Sequence, residues 1–343
     1  MTVTISEAIR KLVDREDLTE EQAAAAMEDI MSGRATPAQI AGFLIALRMK
    51  GETVEEIAGC ARTMRRLAVT IRPRRQPLID IVGTGGDGAN TFNISTAAAI
   101  VAAAAGAGVA KHGNRAVSSR CGSADVLEAL GVGVDVEPAF VQRCIEEAGI
   151  GFMFAPRYHR AMKFAAEPRR ELAVRTVFNV LGPLTNPAGV QSYVLGVYDP
   201  ELVPKLAYVL HELGVERAYV VHGAPGMDEF SICGETLVAS VEPAGVRQFA
   251  MTPEDVGLRR AALASIMGGS VEDNAERIVM VLTGAETGPP RDAVALNAGA
   301  GLVVAGLAED LRDGVAMALD AIASGRAYDT LETLRRLSGG RAA

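Results

Sequence analysis

The chain has 343 residues, of which 49% are hydrophobic and 22% charged, and it carries a formal net charge of −8. This length and composition predict one large or two ordinary globular domains with a sizeable core, and they exclude an intrinsically disordered chain. The negative charge argues against nucleic acid as the main partner, because phosphate backbones are bound by clustered Lys and Arg. If this acidic protein binds phosphate, it needs a local device: backbone amides, a few placed cations, or a metal.

The cysteines and the apolar runs indicate the compartment. The four cysteines are Cys60, Cys121, Cys144 and Cys233. Their spacing fits neither a CxxC pair nor a zinc pattern, so we expect free thiols in a reducing compartment. The first ten residues do not resemble a signal peptide, and the apolar run 97–110 is too short to cross a bilayer. We therefore expect a cytoplasmic protein with no membrane partner.

Residues 1 to about 70 have only helical features. Capping boxes at 19–22 and 53–56, and a proline after Thr36, predict three helix starts. The segment 71–77 is polar and bracketed by prolines, so it is the best candidate for a linker. We predict a small all-helical N-terminal domain over 1–72.

From residue 78 onward, short apolar runs alternate with helical stretches, which is typical of βαβ units and a mainly parallel sheet. The predicted strands are 78–82, 193–197 and 218–221, followed by a hairpin of 237–241 and 246–251. The predicted helices are 96–105, 124–130, 201–213, 274–282 and a C-terminal helical stretch over 310–337. The predicted fold class is therefore α/β, with the helical domain followed by a larger α/β domain over 73–343 whose central sheet is flanked by helices.

A glycine-rich loop follows the first predicted strand. Gly83, Gly85, Gly86 and Gly88 precede a helix that we expect to be capped by hydroxyl residues. This order of elements makes a phosphate cradle, because glycine allows close approach and the helix start presents free N–H groups. The alternative is a plain strand-to-helix turn. A dinucleotide site is disfavoured, since Lys111 and its neighbours occupy the region where an acidic residue should bind the ribose.

The segment 111–119 offers a second set of phosphate ligands. Lys111 and Arg115 supply positive charge, Gly113 permits close approach, and Asn114 and two serines supply neutral donors. The alternative is an exposed basic loop. His112 has no second His or Cys at metal-binding spacing, so we do not expect it to be a metal ligand.

Two adjacent carboxylates, Asp228 and Glu229, follow the predicted strand 219–223. Strand ends of parallel sheets face the ligand crevice, and a divalent cation would relieve the repulsion between the two acids. The alternative is a solvated acidic turn. Arg169 could bind a substrate carboxylate or simply be a solvated arginine at a helix start, and the turn-rich segment 179–187 is expected to be scaffold.

Taken in order, the segments 83–88, 93–96, 111–115, 122–125, 182–187 and 228–229 resemble the anthranilate phosphoribosyltransferase family over nearly the whole chain. The resemblance implies transfer of a phosphoribosyl group from 5-phosphoribosyl 1-diphosphate to the amine of anthranilate, the second step of tryptophan biosynthesis. It also implies a nucleoside phosphorylase type of fold, Mg²⁺ with two ions in each subunit, and a homodimer formed through the helical domain. A helical stretch near 170–190 is expected to pack back onto that domain.

Site residues are carried over position by position. The resemblance implies that the phosphoribosyl diphosphate site is formed by Gly83, Gly86, Asp87, Thr91, Asn93, Ile94, Ser95, Thr96, Lys111, His112, Gly113, Asn114, Arg115, Ala116, Val117, Ser118, Ser119 and Ser123. It implies that anthranilate contacts Gly83, Asn114 and Arg169, and that Ser95, Asp228 and Glu229 hold the metal. Cys121 and Met227 depart from the usual serine and leucine of the family, but both only flank these positions. No residue is assigned as a general base, because an aromatic amine is already a neutral nucleophile.

Three alternative functions share some of these features. A pyrimidine nucleoside phosphorylase shares the fold, but the segment 111–115 and the acidic pair favour a diphosphate substrate. A nicotinamide-dependent dehydrogenase lacks its ribose-binding acid. A non-catalytic binding protein of the same fold is disfavoured by the intact loops and acids.

Overall fold

The computed structural model describes residues 4–116 and 120–339. Its first part consists of helices, as predicted. They are α1 (Ile5–Val13), α2 (Glu20–Met31), α3 (Pro37–Lys50) and α4 (Val54–Leu67). Each follows a threonine whose side chain accepts the N–H of the third helical residue: Thr4, Thr19, Thr36 and Thr53. These caps satisfy N–H groups that have no partner within the helix and define where each helix begins.

Alternating strands and helices follow. The strands are β1 (Leu78–Gly83), β2 (Gly108–Gly113), β3 (Ile150–Phe154), β4 (Ser192–Gly196), β5 (Arg217–Gly223), β6 (Thr236–Glu242) and β7 (Gly245–Met251). The remaining helices are α5 (Ile94–Ala104), α6 (Ser123–Ala129), α7 (Pro138–Ala148), α8 (Ala155–Tyr158), α9 (Lys163–Leu172), α10 (Phe178–Leu184), α11 (Leu202–Glu212), α12 (Val271–Leu282), α13 (Pro289–Val304), α14 (Leu311–Ala323) and α15 (Arg326–Leu337).

The described strands form one sheet in the order β3-β2-β1-β4-β5-β6-β7. The first five are parallel, and β6 and β7 are added antiparallel at one edge. The mainly parallel sheet and the hairpin are therefore confirmed. Between β1 and β4 the order of the strands reverses, and at such a switch point the carboxyl ends of the strands open a crevice for ligands.

Each face of the sheet is covered by apolar side chains. Ile79 and Ile81 of β1 belong to a buried cluster that includes α5 and α13. On the other face, Tyr193 belongs to a cluster that includes Leu47 and other residues of α1 to α4. On this face α7 and α11 pack directly on the strands, and α4 of the N-terminal helices packs on α11. Burial on both faces explains why these strands are continuous apolar runs.

The chain between α9 and β4 contacts the N-terminal helices through arginine side chains. Arg65 Nε of α4 donates to Leu184 O at 2.6 Å, and the Arg48 guanidinium of α3 donates to Arg175 O. These contacts lie in the region near 170–190 that we expected to pack back onto the helices. The division of the chain at 72/73 stays a prediction.

The stretch 310–337 is helical as expected, and it is divided into two helices at Gly325, which takes φ +80°. Two other local expectations were wrong. The turn-rich segment 179–187 is largely helical, with Pro183 inside α10. Helix α5 is capped by Asn93, whose side chain makes no capping hydrogen bond, and not by a hydroxyl residue. In the described part of the chain, we find no helix with the length and apolar character needed to cross a membrane.

Candidate active site

Glycine is the last residue of four neighbouring parallel strands: Gly83, Gly113, Gly196 and Gly223. A Cβ built on Gly83 would lie 2.8 Å from Asp228 Cγ, and one built on Gly196 would lie 3.0 Å from Asp228 Cα. Each Cβ would lie closer still to an oxygen of Asp228, at a distance that real Cβ atoms essentially never show. These glycines therefore allow the loop that carries Asp228 and Glu229 to lie directly on the ends of β1 and β4.

The glycine-rich loop after β1 is joined to this acidic loop. Gly85, Gly86 and Gly88 have φ of +69°, +73° and +75°, a conformation that glycine adopts without steric cost. The N–H of Gly85 donates to Asp228 Oδ2 at 2.6 Å, and the N–H of Asp228 donates to Asp87 Oδ2 at 3.3 Å. Two segments about 140 residues apart in sequence thus form one wall of the crevice.

The start of α5 and the buried Lys111 form the adjoining wall. The N–H of Ser95 donates to Glu229 Oε1 at 3.2 Å, so the carboxylate lies at the positive end of the helix dipole. Lys111 is only 2% exposed, and its Nζ donates to Ile81 O at 2.7 Å and lies 3.5 Å from Ser95 Oγ. A cation, a hydroxyl and a carboxylate therefore meet at one helix N-terminus.

The buried carboxylates of Asp228 and Glu229 are not fully neutralised by Lys111. Burial, followed by the proximity of Asp87, raises the pKa of Asp228 to about 7. Burial and the nearby Asp228 raise the pKa of Glu229 well above its usual value, although Lys111 opposes this. Burial also lowers the pKa of Lys111 against the attraction of the carboxylates. Adjacent carboxylates that both resist ionisation are stabilised when a cation binds between them.

Oxygen ligands of this kind suit Mg²⁺, which usually combines one or two carboxylates with water and substrate phosphate oxygens. Among the described residues, no group of three or more His, Cys, Asp and Glu side chains is arranged to hold a metal ion. Asp228, Glu229 and the Ser95 hydroxyl therefore fit a magnesium ion that shares its ligands with a bound phosphate group. They do not form a self-sufficient metal cage.

The chain beyond β2 folds against the start of α6. Ser123 Oγ donates to Asn114 O at 3.2 Å, and Asp125 Oδ2 accepts the N–H of Ala116 at 2.9 Å. The Arg115 guanidinium is paired with Asp125 at 3.1 Å and also with Glu128. This exposed pairing holds the Arg115 side chain on α6. Val117, Ser118 and Ser119 lie outside the described residues.

His112 and Arg169 lie on the side of the sheet that faces α10. The His112 ring nitrogen Nδ1 is 3.2 Å from Gly182 O, and its ring centre is 5.1 Å from that of His159. Burial lowers the pKa of His112 to about 3, so the imidazole is neutral at physiological pH. The Arg169 guanidinium lies 4.9 Å from the centre of the Phe178 ring and is half-buried, and burial lowers its pKa.

Comparison with known proteins agrees with this geometry. Residues 6–68 match the model of the glycosyl transferase family helical bundle domain, and residues 75–328 match that of the family's a/b domain. The anthranilate phosphoribosyltransferase of Geotalea daltonii is 52% identical over 97% of this chain and 99% of its own. The chain belongs to the anthranilate phosphoribosyltransferase family.

Solved structures of anthranilate phosphoribosyltransferases share the fold. The enzyme of Thermus thermophilus matches with a TM-score of 0.92 and 51% identity, covering 97% of this chain and 99% of the other. The enzyme of Saccharomyces cerevisiae, solved in complex with PRPP and Mg, matches with a TM-score of 0.89 and 30% identity over 98% of both chains. The expected fold class and family are therefore confirmed.

The structure places the described residues expected from the anthranilate phosphoribosyltransferase resemblance on five secondary-structure elements and two loops. Their positions are the end of β1 (Gly83), the following loop (Gly86, Asp87, Thr91), the start of α5 (Asn93, Ile94, Ser95, Thr96), β2 and its end (Lys111, His112, Gly113, Asn114, Arg115, Ala116), the start of α6 (Ser123), α9 (Arg169) and the loop after β5 (Asp228, Glu229). The exposed-loop alternative for Lys111 and His112 is wrong, because both are buried on β2. Their individual roles remain predictions.

Sequence reasoning missed two residues that support the site of this anthranilate phosphoribosyltransferase family member. The Arg175 guanidinium donates to Gly86 O and lies 3.9 Å from the centre of the Tyr198 ring. Asn297, on α13, hydrogen-bonds the backbone of Phe230, which follows Glu229. Neither residue belongs to a recognisable local motif, so only the tertiary contacts reveal them.

Proposed function

We propose that this chain transfers the phosphoribosyl group of 5-phosphoribosyl 1-diphosphate to the amine of anthranilate, releasing N-(5-phosphoribosyl)anthranilate and diphosphate. One observation carries the proposal: Lys111, Ser95 and Glu229 meet at the N-terminus of α5, at the switch point of the sheet. Because a diphosphate ester needs charge neutralisation and not a strong base, this arrangement suits a diphosphate leaving group. The family named above carries out this class of reaction.

The phosphate groups of the substrate would be bound mainly by backbone amides. We expect backbone N–H groups of the glycine-rich loop and of the start of α5 to contribute, together with the hydroxyl groups of Thr91 and Thr96. Lys111 adds a buried positive charge that acts more strongly there than it would in water. An acidic protein can thus bind a highly charged substrate through a local site.

Ser95, Asp228 and Glu229 would hold Mg²⁺, with two ions in each subunit. The metal would supply positive charge that neutralises the diphosphate and stabilises it as the leaving group. The protein's part is to keep the two carboxylates adjacent and fixed against the start of α5. The hydrogen bonds of Asp228 to Gly85 and of Glu229 to Ser95 provide that support.

Anthranilate would lie near Gly83, Asn114 and Arg169. A guanidinium can bind a carboxylate through two parallel hydrogen bonds, and stacking on Phe178 restricts the orientation of Arg169. No general base is required, since the aromatic amine is neutral at pH 7. The lowered pKa of His112 makes this residue a weak base, which agrees with catalysis by positioning and leaving-group stabilisation.

We also propose that the protein is a cytoplasmic homodimer joined through the N-terminal helices. Val13 at the end of α1 and Met49 in α3 are 67% and 69% exposed, which suits an apolar contact with a second copy. The thiols of Cys60 and Cys144 are buried and unpaired, as expected in a reducing compartment. Light scattering of wild type and of Met49→Glu would test the dimer, which should be weakened in the variant.

An assay of anthranilate fluorescence tests the reaction. Incubation with phosphoribosyl diphosphate and Mg²⁺ should remove the fluorescence and form one diphosphate per anthranilate consumed. Uridine with inorganic phosphate should give no cleavage, whereas a nucleoside phosphorylase would cleave it. Absence of turnover at every substrate concentration, from protein shown to be folded, would refute the proposed reaction.

A further inference from the structure

We infer that Asn297 is a positioning residue for the metal-binding carboxylates, an inference that rests on the proposed function. Asn297 lies in the middle of α13 and is completely buried. Its side-chain amide binds the backbone of Phe230, the residue that follows Glu229. Through these hydrogen bonds, α13 holds the end of the acidic loop.

The amide of Asn297 matches the backbone of Phe230 on both sides. Asn297 Oδ1 accepts the N–H of Phe230 at 2.9 Å, and Asn297 Nδ2 donates to Phe230 O at 2.9 Å. The second hydrogen of Nδ2 goes to Ala293 O, one turn earlier in the same helix, at 3.0 Å. Both amide hydrogens are therefore used, and both backbone polar groups of a buried residue are satisfied.

Several hydrogen bonds on either side of the two carboxylates are local. Before the carboxylates, Gly223 and Met227 exchange backbone hydrogen bonds of 2.9 and 2.6 Å. After them, the N–H of Ser231 donates to Thr236 Oγ1 at 2.9 Å. These bonds shape the loop between β5 and β6, but they do not tie it to the elements around β1. The Asn297 amide adds such a tie from α13, which packs against β1, to those that Asp228 and Glu229 make with the β1 loop and α5.

The packing of α13 makes this tie rigid. A Cβ on Gly301, one turn after Asn297, would lie 2.7 Å from Ile81 Cδ1, so the helix backbone closely approaches β1. The Phe230 ring is fully buried and meets the Tyr219 ring edge-on at 5.9 Å between centres. The backbone next to Glu229 is thus held from the α13 side while Ser95 binds its carboxylate from the α5 side.

A purely structural role would predict only a loss of stability when Asn297 is changed. A positioning role predicts weaker metal binding as well, since residues that orient metal ligands typically contribute about 10- to 100-fold to metal affinity. The two roles therefore differ in a quantity that can be measured without turnover.

The test measures Mn²⁺ binding by electron paramagnetic resonance of the free ion, with inorganic diphosphate present. The proteins are wild type, Asn297→Ala, Asn297→Asp and the control Ser338→Ala. Asn297→Asp keeps the size and the acceptor, but as a carboxylate it has no hydrogen to donate to Phe230 O. Ser338 is also buried and also accepts a backbone N–H, from Gly133 at 2.9 Å, but it lies at the end of α15.

We expect both Asn297 variants to bind Mn²⁺ at least about tenfold more weakly than wild type, with the KM for anthranilate changed less than twofold at saturating metal. Ser338→Ala should lower Tm without changing Mn²⁺ affinity. Unchanged Mn²⁺ affinity in folded Asn297→Asp would overturn the inference, and so would a loss of folding in both variants, because the role would then be structural. Tight metal binding by wild type without anthranilate turnover would instead count against the proposed reaction alone.

Discussion

Gly83→Ala should disable the candidate site while leaving the fold intact. Gly83 does not have a positive φ, so its backbone accepts alanine, but the new Cβ would lie 2.8 Å from Asp228 Cγ and closer still to its carboxylate oxygen. An ordinary contact begins at about 3.4 Å, so the carboxylate must move by the order of 1 Å. That shift also breaks the 2.6 Å hydrogen bond from Gly85 to Asp228.

The expected magnitude follows from this displacement. A misplacement of about 1 Å in a catalytic site can reduce the rate about 100-fold, which corresponds to about 2.7 kcal/mol of lost transition-state stabilisation. Losing a hydrogen bond to a charged group costs about 1.5 to 3 kcal/mol, which is the same order. We therefore expect kcat/KM of Gly83→Ala to fall about 100-fold and the Mg²⁺ concentration for half-maximal rate to rise.

The assay is anthranilate consumption over a matrix of Mg²⁺ and phosphoribosyl diphosphate concentrations, together with Tm. Gly42→Ala is the matched control, because its Cβ would meet only Ile9 Cδ1 at an ordinary 3.7 Å within α3. The control should keep wild-type kinetics. Wild-type kcat/KM and Mg²⁺ dependence in Gly83→Ala would refute the idea that the strand end must remain open for Asp228.

Three further outcomes are expected. Arg169→Ala should raise KM for anthranilate at least about tenfold more than KM for the diphosphate substrate, because a charge-assisted pair is lost. The control Arg170→Ala, at an exposed neighbouring position, should change neither KM value. Equal effects of Arg169→Ala on both KM values would count against the carboxylate contact. Asp228→Ala combined with Glu229→Ala should raise the Mg²⁺ requirement and reduce turnover, and an unchanged Mg²⁺ titration would contradict their metal role. Burial raises the pKa of Asp80 to about 7, above its unfolded value near 4, so the folded state binds the proton more tightly. The stability that protonated Asp80 contributes is therefore fully present below about pH 4 and is lost as the pH rises through 7. Over this pH window, the Tm of Asp80→Asn should vary less than that of wild type.

Local sequence patterns predicted much of the secondary structure. Thr19, Thr36 and Thr53 cap helices as expected, because a capping box involves only residues three positions apart. The alternation after residue 78 predicted the mainly parallel sheet and the β6–β7 hairpin. Strand β2 was missed as a strand, since Lys111 and His112 favour an exposed loop by composition but are buried in the sheet.

For the candidate site, the sequence identified chemistry but not proximity. The glycine-rich loop, the basic segment and the acidic pair were each recognisable alone, and the family resemblance indicated that they act together. Asp80 was not identified, although it is buried on β1 beneath the site and accepts the Asn186 amide at 2.7 Å. A buried carboxylate has no local signature, because its partners come from distant parts of the chain.

By itself, the sequence determined the starts of α2, α3 and α4, the glycine-rich loop and the supply of cations, acids and hydroxyl groups, because these depend on neighbouring residues. Only the tertiary structure decided that Gly85 binds Asp228 and that Ser95 binds Glu229. It also decided that Asn297 binds the backbone of Phe230, directly after these two acids. These partners are 143, 134 and, for Asn297 and Phe230, 67 residues apart. Which strand lies beside which is set by packing of whole apolar faces, and that packing brings the acidic loop onto the glycine ends of β1 and β4.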